Sequence, residues 1–173
     1  MTTDPPLVPS APAVAALVRG LVESTWPTTE ADRGAWFAEH HLDVEDVRHE
    51  AGAFSGVGPR AWGSPSCGWH VFEDEFVGLH WFLWEGRPWS DVLASATELR
   101  DLLSDVAGEP VDEPPRDRPA EGFTALWQVR GRTIHLYAHA PRSDVAAGRD
   151  VAVQLHVDHA ARAAREDAAA RAR

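Results

Sequence analysis

The sequence predicts an α+β domain with a mainly antiparallel sheet, N-terminal helices, one central helix and a C-terminal helix. Three features lead there. Apolar residues recur at helical spacing in two stretches, 14–22 and 92–106. Two pairs of aromatic or branched runs are each joined by a short polar or glycine turn. The elements then follow one another as helices, strands, a helix, strands and a last helix.

Taken in order, Ser10 caps a first helix in which Val14, Leu17, Val18, Leu21 and Val22 share a face. Trp26-Pro27 breaks it. Thr29 with Asp32 makes a capping start for a second short helix, whose apolar face holds Trp36, Phe37 and His40. The two helices are expected to clamp one side of the sheet. From Leu42 to Pro65 the pattern is weak: Val44 and Val47 suit a strand or a turn of helix, and Gly52, Gly56, Gly58 and Pro59 mark loop. Runs 68–72 and 76–84 form a hairpin about the turn Glu73-Asp74-Glu75. In its second strand Val77, Leu79, Trp81 and Leu83 face one way, and Phe76, Gly78, His80, Phe82 and Trp84 the other. Both faces are largely apolar, so both are expected to be covered, by helices or by a second molecule.

Ser90 is expected to cap the central helix, with Val92, Ala96, Leu99, Leu103 and Val106 as its stripe and Gly108 and Pro110 as its stop. A proline- and acid-rich loop, 109–122, follows. Runs 123–129 and 132–140 straddle Arg130-Gly131 as a second hairpin, and 151–157 is a further strand leading into the terminal helix. Residues 1–12 are expected to be a disordered segment, 13–160 a single α+β domain, and 161–173 an Ala/Arg-rich helix or tail.

Composition removes several chemistries. The chain of 173 residues has no lysine, its sixteen basic residues all being arginine, so Schiff-base, pyridoxal and phosphate-loop lysine chemistry is excluded. The single cysteine, Cys67, cannot form an internal disulfide, and no base or arginine adjoins it in sequence to make it a nucleophile. A net charge of -11 argues against nucleic-acid binding and for a basic protein partner. No charged leader followed by an apolar run opens the chain, and no stretch is long and apolar enough to span a bilayer. A cytoplasmic location without membrane association is expected.

Two sets of residues are candidates for function. Of eight tryptophans, Trp62, Trp69, Trp81, Trp84 and Trp89 crowd into one stretch. With Arg87, which can stack on an indole, they serve either as core or as anchors for a protein partner. The second set lies on the late strands. His135, Tyr137 and His139 alternate with Ile134, Leu136 and Ala138, while His156 and Asp158 alternate with Leu155 and Val157. Should those strands neighbour one another, His135, His139, His156 and Asp158 form a candidate site for a divalent transition metal or for acid–base chemistry, although any half-exposed antiparallel strand alternates in this way. No cofactor is expected on the first reading.

The segments LRDLLSDVAGEP (99–110), ALWQVRGRTIHLY (125–137) and VAVQLHV (151–157) resemble the C-terminal half of small actinobacterial proteins, some of them immunity proteins that neutralise a toxin by binding it. The resemblance covers less than half of the chain and transfers no catalytic residue. It implies a non-enzymatic inhibitor of a cognate toxin. The order of helices and strands is also similar to that of chaperones of secreted effectors, at the level of fold alone. A small metal-dependent or acid–base enzyme is the alternative from a different class.

Overall fold

The computed structural model describes residues 6–43, 47–48, 53–62, 66–112, 122–140 and 153–172. Seven strands form one antiparallel sheet: β1 (Val47–Arg48), β2 (Ala53–Val57), β3 (Ser66–Phe72), β4 (Glu75–Leu83), β5 (Gly122–Val129), β6 (Arg132–His139) and β7 (Val153–His159). Their spatial order is β1-β2-β3-β4-β7-β6-β5. Among the described residues four α-helices accompany them: α1 (Ala11–Glu23), α2 (Glu30–Glu39), α3 (Trp89–Ala107) and α4 (Ala160–Arg171). This is the α+β architecture the pattern of elements implies. The last strand is inserted between the two hairpins, so β7 joins β4 to β6.

Local chemistry accounts for the element ends. Ser10 accepts from the Ala13 N–H at the start of α1, and Thr29 and Asp32 form a reciprocal capping box at the start of α2. The central helix differs from expectation: α3 begins at Trp89 after Pro88, and Ser90 turns its hydroxyl to Asp91 instead of capping. Both hairpins turn through two residues of positive φ, Glu73-Asp74 (51° and 63°) and Arg130-Gly131 (47° and 74°), the mirror-image turn whose twist matches that of paired strands.

One face of the sheet makes the core. Leu79, Trp81 and Leu83 of β4, Val153, Leu155 and Val157 of β7, Ile134, Leu136 and Ala138 of β6 and Trp127 of β5 are all fully buried there. α1 packs on α3, and α3 on β5 and β6, with Val92, Ala96, Leu99 and Leu103 facing inward. At the β3–β4 end Phe37 of α2 meets Trp69 edge-on with ring centroids 5.6 Å apart, and Trp26 stacks on Phe76 at 4.9 Å. The Trp26 indole donates to the Phe76 carbonyl and carries the Arg132 guanidinium 4.8 Å from its ring centroid.

The direction of Phe76 corrects the strand alternation read from sequence. His70 pairs with Gly78 but Val71 pairs with Phe76, so β4 holds Val77 as an extra residue. That bulge restores Phe76 to the buried aromatic cluster while Gly78 and His80 remain opposite Leu79. In the N-terminal segment, where it is described, Leu7 packs on the core and the Trp84 indole donates to the Pro9 carbonyl at 2.7 Å. Residues 1–5 and the strand residues 151–152 lie outside the described set.

Candidate functional site

Four of the five clustered tryptophans are core. Trp62, Trp69, Trp81 and Trp84 are exposed by only 6, 1, 0 and 4 %, so none presents a ring to a partner, and their assignment as anchors is withdrawn. Trp69 is held between Phe54, stacked at 3.9 Å, and the Arg33 guanidinium at 4.5 Å, while Trp62 meets Trp81 at 6.1 Å. Trp89 and Arg87 are half-buried, Trp89 against the core at the start of α3. Trp69 and Trp81 fill the buried face of the sheet with large rings, and Trp62 and Trp84 join the same core.

The polar side chains collect on the opposite face of the sheet. Strand register sets Gly68, His80, His156 and His135 in one row across β3, β4, β7 and β6. The next row holds His70, Gly78, Asp158 and Thr133, and the row on the other side holds Phe82, Gln154, Tyr137 and Thr124. His80 and His156 lie near-parallel, 27° apart, with ring centroids separated by 5.4 Å. Tyr137 stands edge-on to His156 at 5.8 Å and hydrogen-bonds through its hydroxyl to His135 Nδ1 at 2.7 Å. Two glycines make room: a β-carbon at Gly68 would meet the His80 ring, and one at Gly78 would meet the Asp158 carboxyl.

α4 borders this face. Glu166 lies 3.1 Å from His70 Nε2, and Arg162 is buried with its guanidinium donating to the carbonyls of Pro27 and Phe76. Glu75 pairs with both Arg162 and Arg165.

Burial shifts the titration of the face. It pulls His156 down to about 4, with His80, His135 and His70 adding like-charge repulsion. His80 and His135 are lowered for the same first reason. Burial and then the carboxylates of Glu166 and Asp167 push Asp158 up to about 7, and its Oδ1 is buried without a hydrogen-bond partner among the described residues. Tyr137 is raised, by burial and by Asp158. At neutral pH the row of imidazoles is therefore uncharged and the acid beside it is partly protonated. The Cys67 thiol, pushed up to about 12 by burial, is inert.

The four sequence-predicted metal ligands do not assemble. His135 and His156 are register partners and Asp158 lies one row away, but His139 is exposed at the far end of β6, bonded to Thr124 at 2.9 Å. Among the described residues no group of three or more His, Cys, Asp or Glu is placed to hold a metal ion. Near-parallel rings present faces to one another, and lone pairs lie in the ring plane, so His80 and His156 do not aim at a common point. His70 and His80 were on the first hairpin in the sequence and belong to this face. Alternation could have put them on one side, but only the β4–β7 pairing brings them to His156.

Comparison with protein-family models, with curated proteins and with solved structures gives no match. Function is thus argued from this face. A separate cleft of about 910 Å³ opens at α2, lined among others by Arg33, Phe37, His41, Asp43 and Arg60, and it includes none of the face's residues. No described helix is long and apolar enough to cross a membrane.

Proposed function

We propose that the chain is a non-enzymatic protein-binding module, an immunity-type inhibitor that neutralises a basic toxin in the cytoplasm by direct contact. The observation that carries this reading is the asymmetry of the sheet. Its first face is filled by α1, α2 and α3, whereas the second, bordered by α4, carries His135, Tyr137, Gln154 and His156, half-buried in rows set by the strand register. Neutral imidazoles, an amide and a phenol offer hydrogen-bond acceptors to arginine or lysine, and a net charge of -11 steers a basic partner toward them. The anchors of the reading are therefore these residues, in place of the tryptophans.

One observation favours a second reading. Asp158 and His156 lie on the same face of β7 with their proton affinities driven apart, one to about 7 and the other to about 4, which is how acid and base roles are set in enzymes. Tyr137 and His135 would complete an acid–base centre. A client-holding role, as in effector chaperones, uses the same face without turnover.

The test is affinity capture of the tagged chain from its native host, with Tyr137→Ala and Gln154→Ala baits alongside. A stoichiometric basic partner that both variants lose supports the binding module. Equal capture by all three baits refutes this face as the contact.

A further inference from the structure

The row of histidines has a property that partner binding does not require. We infer that His80, His156 and His135 form an acid-operated switch: protonation sets like charges side by side on β4, β7 and β6 and opens the sheet face they share. The geometry is a register row on three adjacent strands, with two of the rings near-parallel at 5.4 Å. Neutral rings tolerate that packing, and charged ones repel across it.

The groups around the row decide whether a counter-charge is at hand. β3 contributes His70, which is engaged with Glu166 of α4. β4 contributes Glu75 at its start, held by Arg162 and Arg165. β6 contributes the uncharged Tyr137, bonded to His135. α4 also contributes Asp167, which is exposed and whose charge acts on His135. β7 contributes Asp158, one row from the imidazoles. Asp158 takes up its proton near 7, before the imidazoles do. Acidification therefore removes the Asp158 charge first and adds positive charges second.

The sign of the effect follows. Each imidazole is held below its ordinary value in the folded chain, so its contribution to stability is complete above about pH 6.5 and is lost as pH falls toward the folded value. Asp158 works the other way and offsets part of that loss.

The experiment is a histidine-resolved NMR titration of the intact chain, treated with EDTA, together with urea unfolding from about pH 8 to about pH 4.5. The expected result is that all three imidazoles titrate below their ordinary 6.5, His156 lowest at about 4, and that their share of unfolding is an uptake of protons as pH falls below it. His156→Gln should lower that uptake by about one proton. Ordinary titration of all three near pH 6.5 with the sheet intact overturns the switch, as does an unchanged uptake in His156→Gln. Should that variant fail to fold, the titration of the natural chain decides alone.

Discussion

The Asp158 carboxyl of β7 lies over Gly78 of β4, in the space that a β-carbon at position 78 would take. Glycine there is a packing requirement, since its backbone needs no positive φ. Gly78→Ala should cost about 1–3 kcal/mol by forcing the carboxyl aside. Combining it with Asp158→Ala should recover part of the loss, because the two residues share one space. Urea midpoints of the single and double variants measure the coupling, and strict additivity would show that the contact is not what limits position 78.

Asp158 also gives stability a pH dependence of its own. Its folded value stands near 7 against an ordinary 3.8, so the folded chain binds that proton more tightly than the unfolded chain. The associated stability is complete below the unfolded value and is lost as pH rises through about 7. Asn copies the protonated acid without the charge. Asp158→Asn should therefore gain stability at about pH 8, by roughly 1.4 kcal/mol at most for each pH unit of displacement, and should match the natural chain near pH 4. Unfolding curves at the two pH values check it; a gain equal at both would assign the effect to packing.

Trp81 separates the core from a contact surface. It is fully buried against Trp62, and its indole nitrogen has no hydrogen-bond partner among the described residues. Trp81→Ala should lose about 3–5 kcal/mol of stability, whereas an exposed anchor would change affinity and leave the melting curve in place. Trp81→Phe should be milder, since no donor bond is sacrificed. Near-UV circular dichroism and urea unfolding distinguish the outcomes.

These residues also show what the sequence made legible. Period and caps located α1, α2 and both hairpins because each is decided by neighbours within four residues, as the Thr29–Asp32 box illustrates. The class of fold followed from their order. Phe76 was misdirected because a bulge is a property of two strands, and nothing around Val77 announces the extra residue. The site was half legible: alternation placed His135 and Tyr137 together and His156 with Asp158. Their meeting with His70 and His80 depends on β7 entering between β4 and β6, a long-range choice without a local signature. The tryptophans were ambiguous for a different reason, since an indole suits an interior and an interface equally.

Arg162 is the most consequential residue that sequence reasoning passed over, where an alanine- and arginine-rich end reads as a frayed helix. It is the only buried residue of α4, and its guanidinium serves the Pro27 carbonyl at 2.9 Å, the Phe76 carbonyl at 2.8 Å and the Glu75 carboxylate. The rest of the seat is alanine and the bonds of Arg165 and Glu166, so α4 is held by polar contacts more than by apolar area. In Arg162→Ala the Phe76 carbonyl keeps the Trp26 indole as a donor, but the Pro27 carbonyl loses its guanidinium donor. The expected cost is about 1–3 kcal/mol, confined to the docking of α4. Hydrogen exchange should show the α4 amides exchanging about tenfold faster or more, with α1 and α3 protected as before. Unchanged protection of α4 would mean that Arg165 and Glu166 hold the helix without Arg162.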